Sequence, residues 1–244
     1  MYDVSQTWQD LIAAEDHYFE SKVSINGVDY GQDEVFEISV EQRVFNDEQP
    51  TVGGCLSSEL TVKLLAPSAS IPRMAQVRPY VRVTDGTTYS EYIPQGVFYI
   101  DTREVTANND GLDILTLLCY DAMLKSEADF PNTSITFPAK DYKLVQLIAQ
   151  KMGLQSSAAA HTGIDARTKA LMNNGSGKYN ITLPLGFSMR EVLSSIAGMY
   201  AGNWVMNYDG QLRLVTLVEL PVETNYLVDN NYIPITFGGV KILV

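Results

Sequence analysis

The hydrophobic pattern in the first half of the chain is that of β-strands. Between residues 59 and 65, apolar Leu60, Val62 and Leu64 alternate with polar residues, which places one side of the segment in a core and the other in water. Runs of this kind, rich in β-branched and aromatic residues, recur along the sequence. They predict strands at residues 35–44, 59–65, 77–83, 96–105 and 112–119.

Turn dipeptides separate these runs. An Asn-Gly pair follows Ile25 and precedes Val28, and Asn or Asp followed by Gly tolerates the positive φ angles of a two-residue hairpin turn. Each such pair therefore predicts a hairpin, and together they predict an antiparallel sheet. The four pairs are Asn26-Gly27, Asp85-Gly86, Asp110-Gly111 and Asp209-Gly210.

A short amphipathic helix is predicted at the start of the chain, over residues 5–19. Ser5 is a suitable N-cap, and Trp8, Leu11 and Ile12 follow at helical spacing. A helix this short is not stable alone. It docks either on its own domain or on a neighbouring chain, and the sequence leaves both possibilities open.

Helical spacing returns in the second half of the chain. Residues 141–152 place an apolar stripe on one face and stop at Gly153. A second helix begins at Ser188, which is spaced to form a capping box with Glu191, and ends near Gly202. Shorter helical turns are predicted at residues 122–128, with Asp121 as the cap, and at 165–172; hairpin strands are predicted at 203–208 and 211–218.

The end of the sequence, residues 235–244, has the pattern of a hairpin whose second strand is cut by the terminus. Either the strand ends there, or the sequence is part of a longer protein. The combination of hairpin strands with a few helices predicts a β-rich α+β fold.

Composition and charge narrow the function classes. The chain has 244 residues, 17 Lys and Arg against 29 Asp and Glu, and a net charge of −12. Nucleic-acid binding draws its affinity from cations that neutralise phosphates, so we expect no nucleic-acid partner. No stretch is long and apolar enough for a bilayer span, and the N-terminus lacks the features of a signal peptide. We therefore expect the protein to be made in the cytoplasm and not to insert into a membrane.

Candidate metal and nucleophilic residues are few. His17 and His161 lie far apart in the sequence, without metal-ligand spacing. Cys55 and Cys119 match neither a disulfide framework nor a metal pattern, and we interpret both as buried thiols. We predict no metal site and no cofactor.

Other motifs give little support for catalysis. Acidic pairs such as Asp101 with Glu104, or Glu127 with Asp129, are the residue types that a glycosidase uses, but 29 acids produce such pairs by chance. The glycine-rich stretch 173–179 lacks the first glycine and the Ser or Thr of a phosphate loop, and we interpret it as a flexible linker. We predict no catalytic residues and no enzyme activity.

An ordered series of short motifs resembles the N-terminal half of phage tail baseplate hub proteins, which are also known as tail-associated minor structural proteins of siphophages and prophages. No single motif is diagnostic, and the order carries the resemblance from Ile71 onward. The matching segments are residues 71–73, 77–83, 93–101, 115–124, 187–193 and 204–214.

The resemblance implies two small antiparallel β-barrel-like domains with helical insertions. It implies an N-terminal helix or arm at 1–20, a first barrel-like domain at 21–135 and 220–244, and a second α+β domain at 136–219. The implied function is a hub subunit that links the tail tube to the host-penetrating apparatus of the virion tail. The implied partners are other copies, as a trimer, and tail proteins such as the distal tail and tape-measure proteins.

Two other functions stay open at this stage. The 14 Tyr and 2 Trp are residues that stack on sugars, which favours a carbohydrate-binding host-recognition module of the tail. The alternative is a purely structural role, in which these aromatics form core and cross-strand pairs. A cell-wall hydrolase is a third possibility, because many relatives carry a spike or a hydrolase in a longer C-terminal region. It is less favoured, because the sequence has no convincing catalytic motif.

Overall fold

The computed structural model describes residues 4–45, 50–67, 70–107, 111–131, 135–155 and 162–217, with the backbone of two short strands at 236–237 and 240–241. Helix α1 (Gln6–Ala13) opens this part, and Ser5 caps it by accepting a hydrogen bond from the Trp8 N–H. The predicted helix over 5–19 is wrong beyond Ala13, because the following residues enter a sheet instead. Leu11 is the one buried residue of α1.

Eight antiparallel strands form the larger part of the fold, and their order in the sheet is β2-β1-β5-β7-β8-β4-β3, with β6 also beside β5. No hydrogen-bonded pair joins the two ends of this sheet among the described residues, so the barrel-like form stays a prediction. The strands are β1 (Tyr18–Ile25), β2 (Val28–Tyr30), β3 (Val35–Glu41), β4 (Glu59–Leu65), β5 (Gln76–Thr84), β6 (Ile93–Pro94), β7 (Phe98–Ala107) and β8 (Asp113–Asp121).

The alternating pattern produces the core of this sheet. Leu60, Val62 and Leu64 of β4 are fully buried and pack with inward residues of β1, β5, β7 and β8, such as Val23 and Leu117. The five strands predicted from alternation are confirmed, with ends shifted by no more than three residues.

The predicted hairpins exist, but their loops differ. Ile25 pairs with Val28 across Asn26-Gly27, and both turn residues have positive φ, which is the predicted two-residue turn. The hairpins at Gly86 and Gly210 have longer loops. Strands β7 and β8 also pair directly, with Gly111 in their connection; Asp110 lies outside the described residues.

A second part of the molecule, here named the helix–hairpin part, follows β8. Asp121 caps its first 3₁₀ turn (Ala122–Glu127), as predicted. The remaining elements are β9 (Ala139–Lys140), α2 (Asp141–Lys151), α3 (Ala166–Leu171), a 3₁₀ turn (Asn173–Gly175), β10 (Asn180–Ile181), α4 (Met189–Met199), β11 (Gly202–Met206) and β12 (Leu212–Thr216).

Trp204 is at the centre of this part. It is fully buried among residues of α2 and α4, and its indole Nε1–H donates to the Leu193 carbonyl at 2.8 Å. The capping box of Ser188 and Glu191 at the start of α4 is confirmed. The predicted helices and the hairpin of β11 and β12 are therefore present, and the fold is β-rich α+β.

Strands β13 (Thr236–Phe237) and β14 (Val240–Lys241) pair with each other, which confirms the predicted C-terminal hairpin. The buried core residues form two clusters, one in the sheet and one in the helix–hairpin part. Cys55, Ala122 and Met123 belong to the second cluster although they precede residue 136. The division into an arm and two domains stays a prediction.

Candidate assembly surfaces

Only His17 of the two histidines lies in the described part of the chain. His17 follows α1, and its Nδ1 donates to the Ala14 carbonyl at 2.9 Å while its ring meets the edge of Phe19. His161 lies outside the described residues. No group of three metal-ligating side chains occurs among the residues that the structure describes.

Both cysteines are buried thiols, as predicted. Burial raises the pKa of Cys55 to about 11, and burial together with the nearby negative charge of Asp101 raises the pKa of Cys119 to about 12. At neutral pH each sulfur is therefore protonated, which is the less nucleophilic form.

The acidic pairs are used for structure or lie exposed. Glu127 forms an ion pair with Arg190, whose guanidinium also donates to the Cys55 carbonyl. Asp101 is exposed at an irregularity in β7, where the pairing with β8 shifts between Ile100 and Thr102. The two contacts of Arg190 tie α4 to the first 3₁₀ turn and to the connection before β4.

The glycine-rich stretch is a hydrogen-bonded turn, where the sequence suggested a flexible linker. The Lys178 N–H and the Tyr200 hydroxyl donate to the two carboxylate oxygens of Asp141 at 3.0 and 2.6 Å. A Cβ on Gly177 would lie 2.4 Å from the same carboxylate, so only glycine fits. Burial and then the bond to Asp141 raise the pKa of Tyr200.

Asn203 fixes the long connection between β3 and β4. Its carboxamide is fully buried, accepts from the Gly54 N–H at 2.7 Å and donates to the carbonyls of Val44 and Thr51 at 2.8 and 2.7 Å. Asn203 directly precedes Trp204 at the centre of the second cluster. The connection is therefore attached to the helix–hairpin part as well as to the sheet.

Asp121 makes a second attachment where β8 ends. Its carboxylate accepts from the Ser58 N–H at 2.7 Å and from the Ser57 hydroxyl and the Met123 N–H at 2.9 Å. Burial raises the pKa of Asp121, and these hydrogen bonds oppose the rise. The sequence identified Asp121 as a cap, but nothing in its pattern identified Asp121 or Asn203 as links between the two parts, because the groups that they join are distant in sequence.

One outward sheet surface, here named the tyrosine–cation face, concentrates aromatic residues. The Lys22 ammonium lies 5.3 Å from the ring centre of Tyr80 and 4.6 Å from that of Tyr92. The Arg82 guanidinium lies 4.3 Å from the ring centre of Tyr89 and 4.6 Å from that of Tyr92. These distances are those of cation–π contacts, so the rings already have partners within the chain.

An exposed apolar segment precedes α4, and we name residues 183–187 the apolar loop. Leu183, Leu185 and Phe187 are 45%, 76% and 52% exposed. Beside it, apolar side chains that include Ile181 and Val192 line a groove of about 180 Å³. Contiguous exposed apolar residues of this kind mark sites of protein association.

Comparison with known proteins shows similarity in fold. No protein-family model matches the chain, and no curated protein matches it in sequence. Among solved structures, it is similar to the 43 kDa tail protein of prophage MuSo2 from Shewanella oneidensis, with 11% identity, a TM-score of 0.52 and coverage of 82% of this chain and 56% of that one. It also matches a tail protein from Neisseria meningitidis MC58, with 11% identity, a TM-score of 0.49 and coverage of 89% and 54%.

The likeness to the Shewanella tail protein, at 11% identity, is one of fold, and function does not follow from fold alone. The chain spans about half the length of the two tail proteins that it matches. Over most of its length, the chain therefore has the fold of the Shewanella prophage tail protein.

Proposed function

We propose that this protein is a structural component of a phage or prophage tail, and more specifically a baseplate hub subunit that links the tail tube to the host-penetrating apparatus. The observation that carries the proposal is the fold shared with a prophage tail protein over 82% of the chain. The ordered motifs from Ile71 onward point in the same direction. The activity and partners of the rest of that longer protein are not included in the proposal.

The subunit acts through its surfaces, as a trimer in the virion tail and in contact with other tail proteins, such as the distal tail and tape-measure proteins. A ring forms when a contact repeats around an axis until it closes. We place the contact between copies at the apolar loop, because Leu185 is the most exposed of the large apolar side chains in the described residues. Burying such side chains against another copy removes apolar area from water.

Sedimentation velocity at micromolar concentration tests this placement. We expect the unaltered protein to form trimers and the double variant Leu185→Ser/Phe187→Ser to stay monomeric. The matched control is Phe36→Ser/Val105→Ser, since these sheet residues are 57% and 58% exposed. If the loop variant and the control associate equally, the contact lies elsewhere.

A reconstruction of tail particles tests the location. Density for this fold at the tail tip, between the tube and the penetrating apparatus, supports the hub role. A strict monomer that captures no tail protein from the same phage or prophage contradicts it. The proposed absence of enzyme activity is tested on purified peptidoglycan, where release of soluble fragments would contradict it.

The carbohydrate-binding alternative has less support. Sugar stacking needs a free aromatic face, and Arg82 and Lys22 lie over the rings of Tyr80, Tyr89 and Tyr92. A glycan titration followed by tyrosine fluorescence distinguishes the two functions, because saturable binding that Tyr89→Ala abolishes would favour host recognition.

A further inference from the structure

A cavity of about 810 Å³ lies between α3, the 3₁₀ turn after it and β12. Its charged lining residues are Arg167, Lys178 and Arg213, and no acidic residue among those that the structure describes lines it. This composition contrasts with the chain as a whole, whose net charge is −12. The cavity is thus a cationic site on an acidic protein.

The cations that line this cavity are not neutralised within the described part of the chain. None of the ion pairs found there involves Arg167, Lys178 or Arg213. Lys178 lies 5.5 Å from the ring centre of Tyr200, which leaves its positive charge in place. Cations held around one cavity repel each other, so an anion that enters it is favoured.

The walls of the cavity are held in position by buried polar contacts. The fully buried Thr168 accepts from the Leu214 N–H at 2.8 Å, which joins α3 to β12. Asp165 caps α3, and its own N–H donates to the Leu212 carbonyl at 2.9 Å. The hydrogen bond from the Lys178 N–H to Asp141 holds the segment after the 3₁₀ turn, which forms another wall. The cations are therefore presented on a preformed frame, which lowers the cost of binding.

We propose that this cavity binds a short acidic peptide segment that also carries aliphatic side chains. Its volume is in the range of sites for ligands much larger than a simple anion, and Leu171 and Val215 give it an apolar surface. Within the described ranges, no aromatic side chain lines it for stacking on sugars or bases. Guanidinium groups match carboxylates in a bidentate geometry, so Arg167 and Arg213 select glutamate or aspartate. The binding site does not depend on the proposed tail function.

Fluorescence anisotropy with a labelled hexapeptide of alternating glutamate and leucine tests the proposal. We expect saturable binding that weakens as salt is raised, and at least about tenfold weaker binding by R167E/R213E. R73E/K143E changes the net charge equally at exposed positions outside the cavity, and we expect it to bind as the unaltered protein does. Circular dichroism checks that each variant is folded.

Two further arms keep the test decisive if the double variant does not fold. The hexapeptide with glutamine in place of glutamate is expected to bind at least about tenfold more weakly to the unaltered protein. Inorganic phosphate at millimolar concentration is expected not to displace the acidic peptide completely. Absence of saturable binding, equal binding of the two peptides, or complete displacement by phosphate would each overturn the proposal.

Discussion

In the eight-stranded sheet, the core from Val23 to Cys119 is built from apolar side chains on alternating strand positions. The helix–hairpin part also buries Asp141, Thr168 and Asn203 completely within or beside its apolar cluster. In the sheet, strand pairing satisfies most backbone groups, and the fully buried Thr84 bonds to the turn after β5. In the second part, several buried side chains satisfy loops and helix ends. A buried polar group is costly when it loses its partner, so we expect the two parts to respond differently to substitution.

The largest expected effect is that of Trp204→Ala. It removes the fully buried indole and its 2.8 Å hydrogen bond to the Leu193 carbonyl, and removal of a large buried aromatic costs about 3–5 kcal/mol. Urea denaturation measures the loss of unfolding free energy. Hydrogen exchange should show faster opening of α2 and α4 than of β4 and β8; equal acceleration everywhere would mean that the two parts open as one unit.

Asn203→Ala is expected to have the next largest effect. It leaves the Gly54 N–H and the carbonyls of Val44 and Thr51 without their side-chain partner, at a cost of about 1–3 kcal/mol for each group that stays buried. The control is Asn180→Ala, because Asn180 is exposed, and we expect a change within about 0.5 kcal/mol. Equal effects in urea denaturation would show that the connection before β4 is not held by Asn203.

A comparison of two glycines isolates the stability that comes from the tight fit of Gly177 against the Asp141 carboxylate. Gly177 and Gly186 both have φ of +77°, but a Cβ meets the Asp141 carboxylate at 2.4 Å in the first and nothing within 4 Å in the second. Gly186→Ala therefore carries backbone strain alone, whereas Gly177→Ala also displaces the carboxylate, and overpacking costs about 1–3 kcal/mol. A difference near zero between the two variants in thermal or urea unfolding would contradict a tight fit at Gly177.

Features that depend on neighbouring residues are predicted well from the sequence, and features that depend on distant contacts are not. Alternation placed β4 at Glu59–Leu65, and Asn26-Gly27 identified a two-residue turn, because both signals depend on neighbouring residues. The helix predicted through Phe19 failed because pairing with β5, which is distant in sequence, converts Tyr18 and Phe19 to strand. The cationic cavity was not foreseen for a similar reason: Arg167, Lys178 and Arg213 meet only in the folded chain.

The two thiols sharpen the comparison through pH, and their effect per pH unit is the smallest of those expected. Cys119 belongs to the sheet cluster and Cys55 to the second cluster, and their pKa values of about 12 and about 11 exceed the ordinary 9.0. Between pH 9 and 11 the folded protein keeps protons that the unfolded chain loses, so the unfolding free energy falls as pH rises. Each thiol contributes at most about 1.4 kcal/mol per pH unit.

Cys55→Ser and Cys119→Ser separate the contributions of the two thiols from those of the other groups that titrate at high pH. We expect each variant to show a shallower fall in unfolding free energy from pH 9 to 11 than the unaltered protein, measured by urea denaturation. Serine does not ionise in this range, so the difference in slope belongs to the replaced thiol. An unchanged slope for Cys119→Ser would mean that the sheet opens enough to ionise this sulfur without unfolding, which contradicts a sheet core closed to water.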